Sequence, residues 1–215
     1  MCFSATASFG AAAVLGGIGA MTVSKVTKST ELPLATVPLI FAVQQGIEGT
    51  LWLTVPFGRA HSIWPASAFA AFALVLWPLM TPIAAALIEP RRRRRRLIYA
   101  MLLPGAAAAA YGAVTIFAHP YLAWPIGHTL IYVNNDPYSP GMAAAYLIAV
   151  CAPPLLSSSR ALQVFGAIVL AGLAVSMLAF YESVVSVWCF FAALASATLL
   201  AYFLGRAPMP APSAA

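Results

Sequence analysis

Gln44, Gln45, Glu48 and Trp52 are the residues of this chain best placed to do chemistry, because polar groups are expensive where they lie. All four fall within an apolar run from Ala35 to Val55, long enough to cross a bilayer. A charged side chain at bilayer depth costs roughly 2.5 kcal/mol or more on insertion scales, so it normally faces protein or water. Helical spacing puts Gln44, Glu48 and Trp52 on one stripe, with Gln45 one turn before Glu48. Such a carboxylate could serve as a base, a ligand or a counter-ion. The amides could equally be glue, hydrogen-bonding one helix to the next. Gly46 and Gly49, at small-x-x-small spacing, would let a neighbouring helix come close.

A second set lies elsewhere in the chain. Glu182 precedes Ser186 and Cys189 by four and seven residues, which places them on one helical face. Glu182 and Ser186 join the stripe as candidate ligand-binding residues, although a carboxylate there also suits a helix N-terminus. Cys2, His61, His119, His128 and Cys189 are candidate ligands for a soft or borderline ion such as zinc or copper. If Met1 were removed, Cys2 would offer an adjacent amine and thiol, and its thiol could pair with Cys189. Packing is the alternative for the cysteines, and solvated loop positions for the histidines.

The elements that must hold these residues follow from composition. The chain has 215 residues, 62% hydrophobic and only 7% charged, with mean hydropathy +0.91. Soluble domains carry about a quarter charged residues, so this is the composition of an integral membrane protein. Seven apolar segments are predicted, near 5–23, 35–55, 66–88, 97–118, 141–156, 162–180 and 184–204. The expected fold is one all-α bundle of seven membrane helices over residues 1–205, with 206–215 a disordered cytoplasmic tail. Pro78 with Pro82, and Pro104-Gly105, are expected kinks. No cleavable signal peptide is expected, so the first segment stays as a helix.

Charge sets the orientation. Lys25, Lys28, Arg91 to Arg96, Arg160 and Arg206, ten of the eleven basic residues, fall on one side of a seven-span chain. The positive-inside rule puts that side in the cytoplasm and the N-terminus outside. The run Arg91–Arg96 then faces anionic lipid, and the net charge of +6 is no sign of nucleic-acid binding. Glu48 lies seven residues before Val55, roughly 10 Å below the outer end of its helix at about 1.5 Å per residue.

The opening Met-Cys-Phe-Ser-Ala-Thr-Ala-Ser-Phe, together with Gln44-Gln45-x-x-Glu48-Gly49-x-x-Trp52, resembles a family of uncharacterised bacterial multipass membrane proteins that begin MCFSA-x-ASF. The resemblance implies a bacterial plasma-membrane location and supplies no catalytic residues. Walker, HExxH, GxSxG and Rossmann motifs are absent. Three functions stay open. One is a receptor, sensor or carrier that binds a small molecule or metal ion in an outward-facing pocket. The second is a membrane enzyme using Cys2 or a His-bound metal with a Glu base. The third is a structural or assembly protein.

Overall fold

A computed structural model describes residues 4–57, 59–135 and 139–205. Among these the chain is mostly helical, and its helices join end to end into seven rods. The first is α1 (Ala5–Ser24), opened by Ser4, whose Oγ accepts from the Ala7 N–H at 3.2 Å. A short helix, α2 (Leu32–Ala35), leads into α3 (Val37–Thr54). The third rod runs from α4 (Arg59–Ala71) through a π-helical turn at Phe72–Leu76 into α5 (Trp77–Ile88). The fourth is α6 (Arg92–Ala100) with α7 (Leu102–Ala118), and the fifth is α8 (Pro140–Leu156). The sixth is α9 (Arg160–Ala179), and the seventh joins α10 (Val184–Ser196) to α11 (Leu199–Leu204).

Five rods, all but those of α3 and α8, are long and apolar enough to cross a membrane. The α8 helix is apolar but shorter. In α3 the two glutamines and the glutamate dilute the apolar run. That helix hides its polar side against protein, with Gln44, Gln45 and Glu48 all fully buried.

Two expected features take a different form. Pro78 lacks the N–H that would bond the carbonyl four residues back, and the ladder opens just before it as the π-helical turn. The arginine run is not a plain connection, because Arg92 to Arg96 form the start of α6. Arginine is a good helix former, and buried Ile98 ties this helix to the core.

The α1 and α3 helices run antiparallel in close contact. Thr22 Oγ1 donates to the Ala35 carbonyl at 2.7 Å at one end. At the other, a Cβ on Gly49 would lie 2.8 Å from the Phe9 ring. Gly49 therefore does what its spacing suggested, whereas Gly46 faces open space.

The connection after α7 holds the one pair of strands among the described residues. Strands β1 (Leu122–Ile126) and β2 (Thr129–Val133) pair antiparallel, with Ile126 opposite Thr129. Only Gly127 and His128 turn the chain, and Gly127 has φ +57°, as a two-residue type II′ turn requires at its first position. The hairpin packs inward. Leu130 is fully buried and Ala123 nearly so, in a cluster with Leu51, Phe69 and Cys189.

At the opposite end, Glu89 clamps two connections together. Its carboxylate accepts from the Ser158 N–H and Ser158 Oγ at 2.6 Å each, from Ser157 Oγ at 3.2 Å and from the Arg91 N–H at 3.1 Å. Arg94 Nη1 donates to the Leu156 and Ser157 carbonyls at 3.3 Å each.

Candidate functional site

The site is built on the buried face of α3. Phe41, Gln44, Gln45, Glu48 and Leu51 recur there at helical spacing, so folding the helix against its neighbours carries the polar groups inside. Glu48 is met from two further elements. Ser186 Oγ of α10 donates to Glu48 Oε1 at 2.6 Å, and the Tyr132 hydroxyl of β2 donates to the same oxygen at 3.4 Å. Gln45 Nε2, one turn earlier in α3, donates to Oε2 at 3.3 Å. In all three contacts the carboxylate is the acceptor. Three elements distant in sequence thus converge on one group.

Gln44 extends the knot to α5. Trp77 Nε1 donates to Gln44 Oε1 at 2.8 Å, and the Trp77 ring stacks on Phe41 at 4.0 Å between centroids. The Gln44 amide and the Glu48 carboxylate both lie within reach of the buried Cys189 thiol. Tyr132 is steadied by stacking on Phe69, 4.5 Å between centroids and 14° from parallel.

Four buried polar atoms near this helix pair have no hydrogen-bond partner among the described residues: Gln44 Nε2, Gln45 Oε1, Trp52 Nε1 and Ser8 Oγ. A buried polar group left so costs about 1–3 kcal/mol, and native proteins rarely tolerate several together without a purpose. The α1–α3 register, with Phe9 against Gly49, runs Ser8 past the same stretch of α3.

Space lies beside the knot. A cavity of about 430 Å³ reaches from Leu74 and Gly112 across to Met177 and ends on Trp188 and Cys189. A second, of about 260 Å³, lies under the hairpin between Phe69, Tyr132 and Val185. The two share Leu74, Tyr121, Asn134 and Val185.

The sequence-derived residues divide as follows. Gln44, Gln45, Glu48 and Ser186 come together, and Trp52 is half-buried beside them with an unpartnered N–H. Glu182 does not join them, being exposed on the turn before α10, where its neighbour Ser183 instead hydrogen-bonds Thr129 of the hairpin at 2.5 Å. The metal candidates within the described residues do not gather. No three His, Cys, Asp or Glu side chains gather to hold an ion among the described residues. His61 is exposed near the start of α4, and His119 and His128 are exposed at the start and in the hairpin turn of the connection after α7, whereas Cys189 is buried inside the bundle. Cys2, Asp136 and the tail from Arg206 lie outside the described residues, as does the side chain of Arg59.

Tyr132 and Trp77 are the residues that sequence reasoning missed. Trp77 reads as one more aromatic in an apolar segment, and Tyr132 as an interfacial anchor in a loop. The signal available for Tyr132 was the run of β-branched and aromatic residues in Thr129-Leu-Ile-Tyr-Val133, which favours a strand.

Residues 1–215 match a family of unknown function, DUF6629. The chain belongs to that family. No curated protein and no solved structure matches it. Membership accords with the resemblance carried by the opening residues and the Gln-Gln-x-x-Glu-Gly stripe. It supplies no reaction and no ligand, so function rests on the site itself.

Proposed function

We propose that this protein is a seven-span bacterial plasma-membrane protein that binds a small organic molecule in its outward-facing half, as a receptor, sensor or carrier. The observation that carries this is Glu48, fully buried and held by Ser186 of α10 and Tyr132 of the hairpin. A non-helical segment at membrane depth is tolerated where it is buried in protein or lines a cavity, and this hairpin does both. A carboxylate, four unpartnered polar atoms and an adjoining cavity are the ingredients of a ligand site. The basic residues support an N-terminus outside and a cytoplasmic C-terminus, and the exposed arginines of α6 suit anionic lipid headgroups.

A structural reading has its own support, since Glu48 already accepts three hydrogen bonds and could simply tie α3, α10 and the hairpin together. The two readings separate at Glu48→Gln, which preserves shape but removes the charge. Native mass spectrometry of protein purified from membranes, with thermal unfolding alongside, makes the comparison. The wild type is expected to carry a small molecule. Glu48→Gln should keep its unfolding midpoint within a few degrees and lose that molecule. Glu48→Leu should also be destabilised, by about 1–3 kcal/mol for each buried donor it strands. A Glu48→Gln protein that matches wild type in both cargo and midpoint leaves the structural reading standing and removes ours.

A further inference from the structure

The larger cavity lies beside the polar knot, between α7, α8, α9 and α10, and its chemistry differs from the knot's. Its volume of about 430 Å³ falls in the range, about 300–1,000 Å³, that holds one small organic molecule. Leu74, Ala143, Leu147, Leu173 and Met177 make the wall largely apolar, and no described lining residue is charged. A charged ligand would lose its hydration there without recompense.

Tyr146, Trp188 and Cys189 stand at the inner end, where they also line a smaller apolar space running on toward Trp77 and Phe165. Trp188 is already engaged. Its Nε1 donates to the Val169 carbonyl at 2.8 Å, and its ring meets Tyr146 edge-on at 5.8 Å. Tyr146 is not, for no described residue hydrogen-bonds its hydroxyl. A phenol brings one strong donor, and such a group inside a protein normally has a partner. Here the donor belongs to a side chain shared by two apolar spaces and fixed by an aromatic neighbour.

We propose that this cavity binds a neutral, largely apolar molecule whose one polar end is a carbonyl oxygen, received by the Tyr146 hydroxyl. The inference rests on the ligand-binding reading above and narrows it to a substrate class. Cys189 links the two regions, since it lines the cavity and touches the environment of Gln44 and Glu48. An occupant of the cavity would therefore bear on the knot through that side chain.

The test uses full-length protein in lipid nanodiscs and the neutral fluorescent ketone 6-propionyl-2-dimethylaminonaphthalene. Energy transfer from tryptophan, with Trp188 in the cavity wall, reports occupancy. Saturable binding at one probe per protein is expected. Ala143→Phe, which fills the cavity, should weaken it at least about tenfold, and Met177→Trp fills the same space from α9 should the first variant unfold. Tyr146→Phe should weaken binding about three- to tenfold. It should also shift the bound probe's emission to the blue, because the carbonyl loses its hydrogen bond. Transfer that only rises in proportion to probe, as in protein-free nanodiscs, overturns the proposal. So does saturable binding that a folded cavity-filled variant leaves unchanged. Equal affinity and equal emission in Tyr146→Phe overturn the carbonyl assignment. The two readings fail separately: loss of cargo in Glu48→Gln without saturable probe binding in the wild type overturns this proposal alone, whereas saturable probe binding with cargo unchanged in Glu48→Gln overturns the Glu48 reading alone.

Discussion

Glu48 and Glu89 are both buried carboxylates, yet they are satisfied by different means. Glu48 takes its donors from side chains on three elements, so its environment exists only once the bundle and hairpin have assembled. Glu89 takes two of its four from backbone N–H groups of Ser158 and Arg91, and the others from Ser157 and Ser158 hydroxyls. It lies just past the end of α5, outside the membrane-crossing rods. Burial pushes its carboxyl up, but the hydrogen bonds from Ser158, Arg91 and Ser157 together outweigh that and hold it below the ordinary value of 4.5. The sign of the pH effect follows. A carboxyl whose folded value is lowered contributes stability that is present above 4.5 and is lost as pH falls through the folded value. Thermal unfolding of the wild type should therefore weaken as pH drops from about 5 to about 3. Glu89→Gln should be less stable at neutral pH and should show a smaller decline over that window. Parallel pH profiles for the two proteins would show that the clamp carries no charge-dependent stability. The role of Glu89 was hidden in the sequence because three of its four donors come from Ser157 and Ser158, in a connection far along the chain.

At the scale of elements, the apolar segments were legible and their joints were not. Runs such as Leu162–Phe180 can hardly be anything but helix, and the structure gives Arg160–Ala179. The stripe of Gln44, Gln45 and Glu48 was equally legible, because three polar residues in an apolar span demand a protein-facing side. The hairpin was not. Pro125 interrupts the donor ladder of β1, and strands avoid proline away from edges. Gly127-His128 is also not among the commonest hairpin dipeptides. Here both strands are edges, and Gly127 supplies the positive φ that the turn needs. Gly127→Val should therefore cost about 1–2 kcal/mol or more. The loss should concentrate in the hairpin, seen as faster amide exchange over 122–133 and a lower unfolding midpoint. Exchange equal to wild type over that stretch would mean that packing of Leu130 and Ala123, rather than the turn, sets the hairpin. Among the described residues the metal candidates do not gather for a related reason: His61 belongs to α4, His119 and His128 to the connection after α7, and Cys189 to the buried face of α10.

For the whole molecule, the decisive property is the distribution of charge along seven rods. Charge counts are legible in a sequence, but they fix orientation only if the number of crossings is seven. That number depends on α3 and α8, one too polar and the other too short to be counted as spans by length and composition. If either failed to cross, the chain would fold back and the basic residues would divide between the two faces. Packing argues for full crossings. The α3 helix runs antiparallel along the whole of α1, and α8 joins Glu89's clamp at its C-terminal end while its N-terminal end lines the cavity beside the hairpin. Each therefore reaches from one end of the bundle to the other. The consequence can be read with a membrane-impermeant maleimide. His128 and Arg93 are both exposed and sit at opposite ends, while Cys151 and Cys189 are buried. In a Cys2→Ser background, His128→Cys in intact cells should label from outside, and Arg93→Cys should label only after the membrane is opened. The reverse pattern would invert the orientation and put the hairpin, Glu48 and the cavity on the cytoplasmic side. Labelling of both positions from outside would mean that an odd number of crossings between them is wrong, and with it the seven-span bundle. The expected pattern leaves the hairpin facing the exterior and the arginine helix facing anionic lipid, the arrangement in which a membrane protein could take up a neutral molecule near its outer face.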